Sequence, residues 1–395
     1  MEDLKEIPVL LLTGYLGSGK TTLVNRILNN RKGIRFAVIV NDIGEVNIDA
    51  DLIQKGGVVG KKDESLVALQ NGCICCTLKN DLIQQLCEIT SRQAFDYIVI
   101  EASGICEPEP IAQTICSIPA LGFEFVKNGI PVLDCVVTVV DALRMRDEFA
   151  SGEALKKPHL DEEDIESLVI QQIEFCNIIA LNKASEVTPE ELGRIKAIVR
   201  TLQPKAKIIE CDYGEFDLDE ILDTGMFQFD DVAASATWIQ EVEHHDDDDE
   251  DEHEHEHEHE HHHHHHEDEG EAEEYGIGTY VYQARRPFDL NSFDNFVAKY
   301  WPKNVIRAKG ICYFSEEFDT CYLFEQAGRQ FVLKNVGLWF ATMPEEELIE
   351  KLREQPDLLR DWDRTYGDRM QKLVFIGQHL DKEYIKQQLD NCLFE

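Results

Sequence analysis

The chain has 395 residues, 43% of them hydrophobic, and carries a formal net charge of −39 at pH 7. That apolar fraction supports a sizeable core and excludes a wholly disordered chain, and the length fits two ordinary domains or one large one. The acidic excess repels phosphate backbones and anionic lipid, so nucleic acid and membrane surfaces are excluded as expected partners and cations are favoured. No stretch approaches the roughly 18 consecutive apolar residues of a membrane span. The acidic start lacks a signal-peptide pattern, and twelve cysteines without a secretory signal point to reduced thiols and a cytoplasmic location.

From the start to about residue 232, short apolar runs alternate with helical patterns. Strands are predicted at 7–12, 35–40, 97–100, 134–140, 177–181 and 207–211, with helices at 21–30, 80–92 and 189–202 among them. The last helix has a legible start: Thr188 as N-cap, Pro189 in the first turn and Glu191 three residues after the cap. Nearly continuous apolar strands alternating with helices indicate an α/β fold, a parallel sheet covered by helices on both faces.

Between the first strand and helix, Gly14, Tyr15, Leu16, Gly17, Ser18, Gly19, Lys20 and Thr21 match G-x-x-x-x-G-K-[ST] at every fixed position. Glycines let backbone N–H groups turn inward around a phosphate, and the helix N-terminus, which continues through Thr22, adds positive dipole. Lys20 is placed to reach the β- and γ-phosphates and the Thr21 hydroxyl to bind Mg2+. A second magnesium-binding carboxylate is expected at a strand end. Glu101 ends the 97–100 strand, and Ser103 and Gly104 follow, where a backbone N–H can sense the γ-phosphate; Asp141, after the 134–140 strand, competes for the role.

Asn71-Gly72-Cys73-Ile74-Cys75-Cys76 places three thiols within four residues, a density that argues for metal or redox chemistry in a reduced compartment. An extended chain points alternate side chains oppositely, so either a turn at Gly72 or two thiols with a further carboxylate or histidine would complete a site. The other nine cysteines are scattered singly and read as core residues. Farther on, the 177–181 strand ends in Asn182-Lys183-Ala184-Ser185. GTP-binding proteins with a phosphate loop commonly read guanine with Asn-Lys-x-Asp at such a strand end. Here Ser185 stands where the Asp is expected; its hydroxyl cannot form the same charged pair, and the adjacent Glu186 is the candidate substitute.

Residues 233–274 are low-complexity, with 19 acidic residues and no Lys or Arg between Glu241 and Glu274. This stretch reads as a disordered linker that captures cations loosely through His253, His255, His257, His259, His261 and neighbouring carboxylates. The last part, 275–395, reads as a smaller α+β domain: strands at 279–284, 306–314, 321–325, 331–335 and 372–376, an amphipathic helix at 290–300 and a closing helix at 382–391.

Taken together, these motifs resemble the CobW-like P-loop GTPases, metal-trafficking proteins with a Cys-x-Cys-Cys motif. The resemblance covers the 14–21 loop, the segment Asn41-Asp42-Ile43-Gly44-Glu45-Val46-Asn47-Ile48-Asp49, the 72–76 motif, Glu101-Ala102-Ser103-Gly104, residues 137–142 and Asn182-Lys183. In the last part it covers Arg285-Arg286-Pro287-Phe288, Arg307-Ala308-Lys309-Gly310 and Gly367-Asp368-Arg369. Within the family the chain looks most like the bacterial branch made under zinc limitation and thought to deliver zinc. The resemblance implies that Cys73, Cys75 and Cys76 form the metal site, with Asp42 and Glu45 in a switch segment near zinc and magnesium. Asp42 stands where Glu is commoner, which shortens that contact. The resemblance further implies GTP hydrolysis coupled to Zn2+ transfer to a client protein, and a nucleotide-dependent homodimer. A zinc buffer or sensor with a regulatory nucleotide site is the second reading, and a small-molecule kinase the third. The last lacks any motif for an acceptor pocket or catalytic base. No residue stands out as a water-positioning group, so slow intrinsic turnover is expected.

Overall fold

The computed structural model describes residues 5–29, 33–40, 66–68, 79–126, 128–149, 165–229, 232, 275–328, 330–354 and 362–394. The chain falls into two compact units, Met1–Ala236 and Thr237–Glu395. Among the described residues, no helix is long and apolar enough to cross a membrane.

The first unit is built on β1 (Glu6–Thr13), β2 (Phe36–Val40), β3 (Leu66–Ala68), β4 (Tyr97–Glu101), β5 (Ile130–Asp141), β6 (Ile178–Asn182) and β7 (Lys207–Cys211). They form one sheet in the order β3-β2-β4-β1-β5-β6-β7, and every pairing is parallel. Both faces of β1 are buried, as continuous apolar strands require. Leu10 and Leu12 pack with Leu23, Val24 and Ile27 of α1 (Lys20–Leu28) on one face. Val9 and Leu11 are equally buried on the other, the face covered by α2 (Lys79–Arg92) and α3 (Pro108–Ser117). Three further helices follow: α4 (Ala142–Phe149), α5 (Ile165–Glu174) and α6 (Pro189–Leu202). The start of α6 is as read from sequence: Thr188 Oγ1 accepts from Glu191 N at 3.3 Å, and Glu191 Oε2 accepts from Thr188 N at 2.8 Å.

The second unit carries β8 (Ile277–Ala284), β9 (Val305–Cys312), β10 (Thr320–Ala327), β11 (Gln330–Leu338) and β12 (Gln371–Gln378), all antiparallel in the order β11-β10-β9-β12-β8. Its core is phenylalanine-rich: Phe288, Phe293, Phe296, Phe314, Phe324 and Phe375 join residues of the helices α7 (Leu290–Asn295) and α9 (Lys382–Asp390). A further helix, α8 (Glu345–Glu354), precedes β12.

Two details differ from the sequence reading. The three-residue strand β3 is too short to show a period of its own. The single helix expected at 290–300 is α-helical only to Asn295 and then widens into a π-turn over Phe296–Tyr300. The wider turn sits where Phe293 and Phe296 both enter the core and Phe296 meets the Trp301 ring, with centroids 5.4 Å apart.

Candidate functional site

The carboxyl ends of the parallel strands place the candidate residues side by side. In register, Leu12 of β1 lies beside Glu101 of β4, Asp141 of β5 beside Asn182 of β6, and Asn182 beside Cys211 of β7. This edge of an open parallel sheet is where ligands bind in such folds.

The loop after β1 turns through positive φ at Gly14, Gly17 and Gly19, and Ser18 N donates to Tyr15 O at 3.1 Å. Gly14 is required twice over: its φ is 135°, and a Cβ there would lie 2.3 Å from Val139 O. At the head of α1, Lys20 Nζ folds back to donate to Gly14 O at 2.7 Å and Tyr15 O at 3.2 Å. Thr21 Oγ1 donates to Glu101 Oε1 at 2.8 Å, and Thr22 is exposed one residue on. Thus the hydroxyl and carboxylate expected to share a cation are brought together from positions 80 residues apart. The competing carboxylate, Asp141, is turned elsewhere: it pairs with Lys183 Nζ and accepts from Arg144 N at 3.2 Å.

Gly104, in the turn after β4, abuts the phosphate loop so closely that a Cβ would lie 2.6 Å from Leu16 N. Gln172 of α5 holds this turn from behind, its Nε2 donating to Gly104 O at 3.2 Å and Cys106 O at 3.1 Å. Asn182 ties the far side of the site together. Its Nδ2 donates to Ser18 O at 2.8 Å, and its Oδ1 accepts from Gly214 N at 3.2 Å. Lys183 follows in the left-handed region at φ 60°. Ser185 N donates to Asp212 Oδ1 at 3.1 Å. Sequence reasoning missed Gln172, Asp212 and Gly214. The available signal was position: Asp212 stands one residue past β7, at the same end of the sheet where Glu101, Asp141 and Asn182 close their own strands.

The residues present fit a magnesium–nucleotide ligand. The glycine loop forms a cradle that side chains would fill, Lys20 lies within it, and the Thr21 and Glu101 oxygens are hard donors of the kind magnesium takes. Ser18 Oγ is buried and has no hydrogen-bond partner among the described residues.

Cys73, Cys75, Cys76, Asp42, Glu45 and the tract residues His253, His255, His257, His259 and His261 lie outside the described residues. Among the described residues, no group of three or more His, Cys, Asp or Glu side chains is arranged to hold a metal ion. Of the scattered cysteines, Cys135, Cys176, Cys211, Cys312 and Cys392 are buried. Burial raises their thiol pKa values, to about 12 for Cys176 and about 11 for Cys211 and Cys392, so at neutral pH they remain protonated and poor metal ligands.

Two family models match in tandem: "CobW/HypB/UreG, nucleotide-binding domain" over residues 8–210 and "Cobalamin synthesis protein cobW C-terminal domain" over 277–393. The chain is 34% identical to a "Zinc-regulated GTPase metalloprotein activator 1" of Dictyostelium discoideum, across 98% of this chain and 80% of that protein. It is 32% identical to the "Zinc chaperone YjiA" of Escherichia coli, across 58% of this chain and 65% of that protein. Among solved structures it matches the Zn(II)-bound YjiA GTPase from E. coli at 20% identity, covering 99% of this chain and 100% of that one, with a TM-score of 0.41. With both models matched in order and a relative at this identity across nearly all of this chain, the chain belongs to the CobW/HypB/UreG family and carries the CobW C-terminal domain.

Proposed function

We propose that this protein is a cytoplasmic GTPase that binds zinc and couples its nucleotide state to delivery of the metal to a zinc-dependent client protein. The observation that carries the reading is the join between the phosphate loop and β4, where Lys20 lies inside the glycine cradle and Thr21 meets Glu101. The relatives named as zinc chaperones and zinc-regulated GTPases support the choice of metal and nucleotide.

In this reading the backbone N–H groups of Gly14, Gly17, Ser18 and Gly19, with Thr22 at the helix start, surround the phosphates. Lys20 exchanges its loop carbonyls for β- and γ-phosphate oxygens. Thr21 and Glu101 are the donors for magnesium, which when bound neutralises charge on the phosphate oxygens. Gly104 N–H lies in the turn that meets the γ-phosphate, so loss of that group is felt first between β4 and α3. Asn182 and Lys183 border the base. Zinc is cargo for Cys73, Cys75 and Cys76, with Asp42 and Glu45 in the adjoining switch segment; the tract histidines hold further ions weakly. The corresponding organisation is a GTPase domain at 1–232, a linker at 233–274 and a C-terminal domain at 275–395.

Coupling is reciprocal, so nucleotide that changes zinc affinity must itself bind differently when zinc is present. The test is zinc affinity by chelator competition on protein lacking residues 243–269, with and without magnesium and a non-hydrolysable GTP analogue. A shift of about fivefold or more, within the usual range of coupling energies, is expected. Tight zinc binding without a shift would instead indicate a buffer or sensor, and no tight site would remove zinc from the function. Light scattering on the same samples checks the nucleotide-dependent homodimer implied by the family resemblance.

A further inference from the structure

The residue expected to bring a carboxylate to the base is Ser185, which is exposed and offers only a hydroxyl. Its backbone N–H nevertheless points at a carboxylate, Asp212 Oδ1, 3.1 Å away. Asp212 is the first residue beyond β7, the parallel neighbour of β6, and Asn182 and Cys211 are register partners. The loop that carries it is tightly defined. Glu215 N donates to Asp212 O at 2.9 Å, and Tyr213 and Gly214 are both left-handed, at φ 53° and 65°. Gly214 N reaches Asn182 Oδ1, and Asn182 Nδ2 reaches Ser18 O, so the loop that bears Asp212 is hydrogen-bonded through Asn182 to the phosphate loop. Among the described residues, Asp212 Oδ2 has no partner. Glu186, the neighbouring candidate, is exposed, and its carboxylate makes no hydrogen bond or ion pair among them either.

We propose that Asp212 takes the place of the missing Asn-Lys-x-Asp carboxylate and reads the guanine edge, with Ser185 as its positioning partner; the proposal rests on the GTPase reading above. Guanine presents a ring N–H and an exocyclic amino group on one edge, and a carboxylate accepts from both. With one oxygen also taking the Ser185 N–H, lone pairs remain for the base, since two carboxylate oxygens offer about four acceptor sites. Adenine presents an acceptor nitrogen at the corresponding position and is repelled. The carboxylate has thus changed strands, from β6 to β7, while keeping its place at the sheet edge.

The test is binding of fluorescent GDP, XDP and ADP, with magnesium, to the full chain, to Asp212→Asn and to the exchange variant Ser185→Asp with Asp212→Ser. Xanthine carries a carbonyl where guanine carries its amino group, and an asparagine amide can donate to it. The intact chain should prefer GDP over XDP and ADP. Asp212→Asn should lose about 100-fold or more in GDP affinity relative to XDP, the scale at which a polar site rejects a mismatched partner. The exchange variant should recover GDP binding to within about tenfold of the intact chain, the size of a single imperfect hydrogen bond. Unchanged guanine preference in Asp212→Asn overturns the proposal while leaving the GTPase reading intact. An intact chain that does not distinguish GDP from ADP overturns both. Should Asp212→Asn bind neither base, the exchange variant decides: recovered GDP binding supports the proposal and continued loss overturns it.

Discussion

In the proposed reading, the functional group at Gly104 is the backbone itself. A Cβ at this position would be 2.6 Å from Leu16 N and 3.0 Å from Leu16 Cα, so even a methyl group must push the turn after β4 away from the phosphate loop. Gly104→Ala is expected to lower GTP hydrolysis at least tenfold, roughly the effect of a misplaced catalytic group. The stability cost is set at about 1–3 kcal/mol by overpacking. Phosphate release and thermal unfolding read the two effects, and a variant that hydrolyses GTP normally would remove Gly104 from the site. The residues that were legible in sequence share one property: their chemistry is spelled out within a few neighbouring positions. Lys20 and Thr21 come with their glycines, and Glu101 closes an apolar run. Asp212 meets Ser185 across 27 residues, and Gln172 meets Gly104 across 68, so neither contact has a local signature. Long-range pairing appears only when the strands are laid side by side.

Among the elements, α6 shows how much local sequence can specify. Its capping box satisfies two backbone donors at the N-terminus, and hydrogen bonding from Thr188 lowers the pKa of Glu191. Thr188→Ala should cost about 1 kcal/mol, the usual loss for a deleted N-cap side chain. Urea denaturation of the full chain measures it, and an unchanged midpoint would mean the cap is dispensable. Five of the six longer strands of the parallel sheet were readable because both faces are buried and each forms a nearly unbroken apolar run, whereas the edge strand β7 buries Ile209 and Cys211 and exposes Lys207 and Glu210. β3 has three residues, fewer than one alternation needs, and only its partner β2 defines it. The helix expected at 290–300 has a sound helical period throughout; what opens it at Phe296 is the demand of the aromatic core, and no local preference announces that.

For the whole molecule, charge is as unevenly distributed as chemistry. Residues 241–274 hold about half of the net charge of −39 and most of the histidines. Removing residues 243–269 should abolish the weakly bound fraction of zinc while leaving any tight site, a difference visible in equilibrium dialysis with metal analysis. Equal zinc uptake by both forms would show that the tract does not hold the ion. That expectation comes from composition alone, because a segment with almost no apolar residues has little to bury. The arrangement around Asn182 was not legible in this way. One amide side chain grips Ser18 O with its nitrogen and Gly214 N with its oxygen, bracing the phosphate loop against the loop that bears Asp212. In the proposed reading a nucleotide therefore meets a receptor whose two halves are already spaced, and once one end of the ligand has landed the other arrives at high effective concentration. Inorganic phosphate or a free base touches only half of that brace and forgoes the advantage, which favours whole nucleotides over the fragments that surround them in a cell.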